Sequence, residues 1–258
     1  MLENSQSFSI HSSLYASHRP TYPRELFICL NKLCAKHEFA WDAATGNGQA
    51  AVVCAEFFQT IEATDISLEQ IKHCIHHPRV RYTVSPAEES LFPTAYFDLI
   101  TVAQAFHWFD QTKFFEEANR VLVPGGVLAV FGYAFFQVEP SIDQIINDRL
   151  LQLIDPFWSE GNRQLMAGYR DVPFPFDEII LDTEYSMQLD WSLVNLMDYL
   201  RTWSAVKRFS EAFGRDPVSD LQVSLTNTWL AGGRNRKVSM PLVFRVFRKP
   251  AIPVAETA

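Results

Sequence analysis

The sequence predicts a doubly wound α/β sheet, and three observations carry that prediction. Short strand-like apolar runs alternate with segments of helical spacing across the first half of the chain. The runs are close to continuously apolar, which marks parallel strands covered on both faces. The first run ends at "AWDAATGNGQAA", where Gly46 and Gly48 form the kind of tight turn that follows the first strand of such sheets, at the edge where ligands bind.

From Pro23 to His37, Leu26, Leu30 and Leu33 recur at helical spacing, with a proline suited to a first turn. "FAWDA" then reads as a short buried strand, "GQAAVVCAEFF" as a helix and "TIEATD" as a strand. "SLEQIKHCI" reads as a helix capped by Ser67, and "VRYTV" as a further strand. The alternation continues with strand "YFDLITVA", helix "DQTKFFEEANRVL", a turn at Pro124-Gly125-Gly126 and the apolar strand "VLAVFGYAFF". After Gln137 the pattern changes to helical segments near 141–154 and 191–230, separated by aromatic, proline-bearing loops such as "DVPFPFDE". The strand-like "EIILDTEYSMQ" and "VSMPLVFRVFRK" bracket the second of these segments. This half is expected to finish the same sheet and to lay a helical cover over its ligand edge.

A chain of 258 residues with 48% hydrophobic content can bury a sizeable core. A formal charge of -8 disfavours the phosphate backbone of nucleic acids, so no nucleic-acid partner is expected. Four cysteines without a C-x-x-C pair fit reduced, packed thiols. No window approaches the roughly 18 apolar residues of a membrane span, and the opening lacks the basic and apolar regions of a signal peptide. The expectation is a cytoplasmic protein without a membrane partner. Residues 250–258 read as a frayed tail, and no repeats are visible.

The glycine turn has two readings. Gly46-Asn47-Gly48-Gln49-Ala50-Ala51 satisfies the dinucleotide pattern G-x-G-x-x-G/A. Asp42 separates the two, because an acid at the mouth of the turn repels a pyrophosphate, whereas it suits the ammonium and sulfonium of S-adenosylmethionine. The pattern Asp42-x-Ala44-x-Gly46-x-Gly48 resembles the first motif of the class I S-adenosylmethionine-dependent methyltransferases, acid-x-Gly-x-Gly-x-Gly, with Ala44 departing at the first glycine.

The resemblance extends over about residues 15 to 135 and includes a methyltransferase type 11 domain. It implies that Asp65, ending "IEATD" beside Ile66, accepts the ribose hydroxyls; the competing reading is that Asp65 helps cap the next helix. "SPAEESLFPTAYFDLITVAQAFHWFD" resembles the third and fourth motifs, placing Ala87 and Glu88 along the adenine and Gln104 near the methyl-transfer centre. Pro86 stands where many relatives carry Asp, which leaves adenine recognition to the Ala87 backbone, with Ser85 and Glu88 as further candidates. "ANRVLVPGGVLAVFGY" matches the turn before the fifth strand. The implied architecture is a Rossmann-like, mostly parallel seven-stranded sheet. Residues 1–37 form an arm and helix over the cofactor, 38–135 the cofactor core, 136–249 the cover and last strands, and 250–258 a tail. S-adenosylmethionine is the implied cofactor and S-adenosylhomocysteine the product.

The fourth strand lacks the Asn/Asp-Pro-Pro-aromatic motif that grips planar nitrogens and carries Gln104 to Asp110, "QAFHWFD", instead. A small-molecule acceptor is expected. "AQAFHWFD", "YASHRPTYP", "YLRTWSAVKRF" and "MPLVFRV" resemble the branch containing trans-aconitate methyltransferase, which implies O-methylation of a carboxylate. His107 is the candidate catalytic residue, as a base or as a positive partner to an anion; the alternative is a ring packed beside Trp108 for structural reasons. Arg201, Arg208 and Arg245 are candidate anion anchors or ordinary ion-pair partners, and Trp203 walls the pocket or simply packs. Tyr15, Arg19 and Tyr22 lie in a segment that folds over the cofactor, with Arg19 meeting its carboxylate, or in an arm whose Tyr22-Pro23 starts a helix. His73, His76 and His77 have helical spacing without a supporting carboxylate, and no metal is expected. Two other functions remain: an NAD(P)-dependent oxidoreductase, on the glycine pattern alone, and a catalytically silent cofactor-binding scaffold.

Overall fold

The computed structural model describes residues 21–251. Its first half is α1 (Arg24–Leu33), β1 (Phe39–Ala43), α2 (Gln49–Cys54), β2 (Thr60–Asp65), α3 (Leu68–Lys72), β3 (Val80–Val84), β4 (Phe97–Ala103), α4 (Gln111–Val121) and β5 (Leu122–Tyr133). β1 pairs in parallel with β2 on one edge and β4 on the other; β3 and β5 extend the sheet outward, also in parallel.

The strands are apolar on both sides because both sides are covered. Leu26, Phe27 and Leu30 of α1 pack with Ile61, Leu99, Val127 and Phe131 on one face. Trp41, Ile100, Leu128 and Val130 pack with Phe114, Ala118 and Val121 of α4 on the other. The helices begin where the sequence supplies caps: Ser67 accepts from the Gln70 N–H ahead of α3, and Asp110 from the Lys113 N–H ahead of α4.

The turn expected at Pro124-Gly125-Gly126 is absorbed into β5 as an irregularity of register. Leu122 pairs with Phe97, Val127 with Leu99, and Gly125 takes φ +80° between them. The Gly125 N–H donates to Lys249 O and the Lys249 N–H to Gly126 O, so pairing with the end of the chain supplies the hydrogen bonds that a free turn would have given to water.

The second half contains α5 (Pro140–Ile146), which passes through a π turn (Asn147–Leu151) into α6 (Gln152–Ile154), then α7 (Glu160–Met166), β6 (Asp177–Ile179), β7 (Ser186–Ser192), α8 (Leu193–Arg201), α9 (Ser204–Phe213), α10 (Pro217–Ala231) and β8 (Asn235–Arg248). The stretch expected as one strand, "EIILDTEYSMQ", is two, because β6 and β7 pair different parts of β8. Residues 242–248 of β8 run antiparallel to β5 and residues 235–241 run antiparallel to β7, with Pro241, which has no N–H, at the changeover. Among the described residues the sheet has eight strands: seven in the order β3-β2-β1-β4-β5-β8-β6, and β7 added beside β8. This is the expected doubly wound, mostly parallel sheet with one strand more. Above it, α5, α6, α8, α9 and α10 share a separate core that includes Ile142, Leu150, Leu196, Phe209, Leu221 and Trp229.

Candidate functional site

The carboxyl ends of β1, β2 and β4 converge on the turn after β1. Ala44, Gly46 and Gly48 all adopt left-handed backbone, with φ of +55°, +59° and +88°. A side chain at position 48 would collide with the Tyr82 phenol, whose hydroxyl donates to Ile75 O at 2.7 Å. Among the described residues nothing lies within 4 Å of where a Cβ on Gly46 would stand, so they leave the backbone there open. Ala44 occupies the left-handed region with a methyl group, at a cost of about 1–2 kcal/mol.

Asp42 is not at the mouth of this turn. It sits on β1 between Ala63 of β2 and Thr101 of β4 and is 0% exposed. Its Oδ2 accepts from Thr45 Oγ1 at 2.5 Å and its Oδ1 from Thr101 Oγ1 at 2.7 Å. Burial pushes its carboxyl from 3.8 up to about 6, against the pull of the two threonine hydroxyls. The acid is thus held inside the sheet by the two threonine hydroxyls, out of reach of direct contact from the surface.

Asp65 joins the two loops of the site. Its Oδ2 accepts from the Gly46 N–H at 2.9 Å and its Oδ1 from the Ser67 N–H at 2.8 Å. Burial raises its carboxyl, and these two backbone donors oppose the rise. Each oxygen keeps a second lone pair, and the residue reaches the surface at 9% exposure. Ile66 beside it is 59% exposed, while Ala87 is buried. Glu88 accepts from the Asp110 N–H at 3.0 Å, tying the segment after β3 to the start of α4.

Gln104 has φ +56° and its side chain is committed elsewhere. Its Nε2 donates to Tyr133 O at 2.9 Å and its Oε1 accepts from the Tyr133 N–H at 2.7 Å, so the amide clasps the end of β5.

His107 lies in a 3-10 turn (Phe106–Trp108), buried, with Nδ1 3.0 Å from Tyr169 Oη and its ring 4.8 Å from that of Trp108. The three expected anion anchors are already engaged. Arg201 pairs with Asp216 at 2.9 Å and Asp198 at 3.4 Å; Arg208 donates to Phe157 O at 2.8 Å. Arg245 pairs with Glu178 at 2.7 Å, donates to Tyr169 O and lies over the rings of Phe174 and Phe247. Arg245, held on several sides, has the fewest donors left for a substrate. Trp203 is buried in an aromatic cluster with Phe135, Phe136, Trp158 and Tyr199, at centroid distances between 5.5 and 6.0 Å. Tyr22 meets Phe131 edge-on at 4.9 Å. Tyr15 and Arg19 lie outside the described residues.

His73 Nδ1 contacts Glu69 O, and His77 Nδ1 accepts from the Arg79 N–H. No group of three or more His, Cys, Asp or Glu among the described residues is disposed to hold a metal, and no helix among them is long and apolar enough to cross a membrane. Thr45, Thr101, Tyr82, Tyr133 and Tyr169 shape the site without a signal in the sequence, since each acts by a contact that only the fold creates.

Residues 41–130 match the family model described as "Methyltransferase domain". The chain is similar to a solved structure assigned as a type II methyltransferase from Anaeromyxobacter dehalogenans: 35% identity, TM-score 0.83, 91% of this chain and 99% of that one. It is 29% identical, over 86% of both chains, to a protein assigned as a methyltransferase in Dictyostelium discoideum. It is also 26% identical to methyltransferase cfoB of Aspergillus candidus, over 62% of this chain and 59% of that one.

Proposed function

The chain belongs to the S-adenosylmethionine-dependent methyltransferases, and from that premise we propose that it methylates a small-molecule carboxylate on oxygen, as in the trans-aconitate branch. The observation that carries the cofactor half of this reading is the carboxylate of Asp65 bonded to the N–H of Gly46, beneath open space.

The residues present fit the cofactor. Asp65 keeps lone pairs for the ribose hydroxyls while holding the turn, and exposed Ile66 offers an apolar face for the adenine. The buried charge of Asp42 favours a cation above the turn and opposes a pyrophosphate, which weighs against the NAD(P) reading. In the proposed arrangement residues 38–135 hold the cofactor and residues 136–249 cover the acceptor.

When bound, the cofactor supplies an electrophilic methyl on a sulfonium. A carboxylate acceptor would bring its own lone pair and has no proton to lose, so the residues around it would have no base to supply. The chain's task is thus to align the acceptor and exclude water. The aromatic cluster of Phe135, Trp158 and Trp203 suits the walls, and His107 suits the pole that meets the carboxylate.

S-adenosylhomocysteine at 100 times its dissociation constant should stabilise the protein by about 2.7 kcal/mol, seen as a melting shift, and NAD should not. The reverse result refutes the cofactor. Transfer of labelled methyl to a panel of small acids, phenols and amines then tests the acceptor, with label on phenols or amines alone refuting the carboxylate.

A further inference from the structure

The methyl-transfer reading leaves open what His107 does, and its neighbour Tyr169 answers. Tyr169 lies 62 residues further along the chain, in the bend after α7, and is 1% exposed. A buried phenol must place its proton on an acceptor. The acceptor in reach of this hydroxyl among the described residues is His107 Nδ1, at 3.0 Å. The ring of Phe106 stands edge-on to the Tyr169 ring, so the surroundings offer the hydroxyl no solvent.

We infer that Tyr169 fixes His107 as the tautomer carrying its proton on Nε2, so that the imidazole works as a hydrogen-bond donor and not as a general base. With the phenol donating, Nδ1 is the acceptor, and the ring proton of the neutral imidazole sits on the opposite edge. The reverse arrangement, Nδ1–H donating to the phenol, strands the phenol proton inside the protein. Burial raises the Tyr169 hydroxyl well above the usual tyrosine range, so it keeps that proton across physiological pH.

Three further features show that Tyr169 is held for this contact. Its φ is +53°, directly after Gly168 at +69°, and a bulky residue seldom adopts that conformation. Both sides of it are pinned: its N–H donates to Gln164 O at 2.8 Å, and its carbonyl accepts from Arg245, which Glu178 and two phenylalanine rings hold in place. Gly161 of α7 packs so closely that a side chain there would collide with the His107 carbonyl. Arg245 is thus a positioning residue for Tyr169, and Tyr169 for His107. A donor at Nε2 matches the carboxylate chemistry proposed above, in which no proton has to be removed, and the assignment rests on that reading for its role in turnover.

The tautomer itself is readable without any acceptor. Long-range nitrogen–proton NMR on histidine-labelled protein, at a pH where His107 is neutral, should show Nε2 protonated and Nδ1 bare. In Tyr169→Phe the pattern should move to a mixture of tautomers, with the S-adenosylhomocysteine melting shift retained. An Nδ1–H tautomer in the unaltered protein, or an unchanged pattern in Tyr169→Phe, overturns the inference; loss of the melting shift in the unaltered protein instead strikes the cofactor reading and leaves the tautomer result standing. His107→Gln and His107→Ala provide the test if Tyr169→Phe does not fold. Glutamine offers Oε1 to the phenol and an N–H2 as donor but no base. A donor role predicts turnover of labelled methyl onto the carboxylate panel within about tenfold for His107→Gln and a loss of about ten- to a hundredfold for His107→Ala. Equal losses in the two variants overturn it.

Discussion

Replacing Asp42 with asparagine tests the electrostatics of the turn. In the unfolded chain the carboxyl titrates near 3.8, and in the folded protein burial holds it at about 6. Between those values the folded state binds the proton that the unfolded state has released, so stability falls as pH rises through this window. The loss is complete above about pH 6 and amounts to about 3 kcal/mol, taking 1.36 kcal/mol for each tenfold difference in proton affinity. Asparagine has the same shape and no charge, so it escapes this loss; one threonine hydroxyl must turn to accept from its amide, at about 1 kcal/mol. Asp42→Asn should therefore be more stable than the parent by about 2 kcal/mol at pH 7.5 and no more stable at pH 4. Urea unfolding at the two pH values measures the difference. A variant less stable than the parent at pH 7.5 refutes the reasoning, because it would mean that the threonine contacts outweigh burial. The same variant should bind S-adenosylmethionine more weakly, since the field that favours a cation is gone.

Other residues give simpler tests. Ala44→Gly relieves the left-handed alanine, about 1–2 kcal/mol, against about 0.4–1 kcal/mol of added freedom in the unfolded chain, so thermal melts should show a modest net gain in stability. Gln104→Ala unclasps the ends of β4 and β5 and should cost about 2 kcal/mol in urea unfolding. Arg201→Ala removes two half-exposed ion pairs and should leave turnover unchanged and stability lower by no more than about 1 kcal/mol; a large rise in KM for the acceptor would restore Arg201 as an anchor.

The cofactor half of the fold was legible because each element there announces itself locally. "FAWDA" and "TIEATD" are apolar runs of strand length, and Ser67 is a cap in the expected place. The cover was less legible because its elements are defined by partners far along the chain. α7, "EGNRQLM", has little apolar periodicity and is held by packing against the His107 turn, and β6 and β7 look continuous until β8 divides them. Among site residues, the positions in the glycine turn were visible and their orientations were not. Asp42 reads as an acid beside a ligand, yet strand pairing on both sides turns it under the loop; Arg245 reads as an anion anchor or an ion-pair partner, and Glu178, two rings and a carbonyl share it. Tyr169 carries no motif.

One strand, β8, belongs to both halves of the molecule: its carboxyl end completes the cofactor sheet and its amino end forms the floor of the cover with β7. A lid on a hinge swings about loops, and here the connection includes continuous, doubly paired backbone. Rocking of the cover must bend that backbone, and Pro241, at the changeover with no N–H to lose, is where bending sacrifices least. The two halves are thus geared together: a load on the helical side is transmitted along β8 into β5, next to the Gln104 clasp.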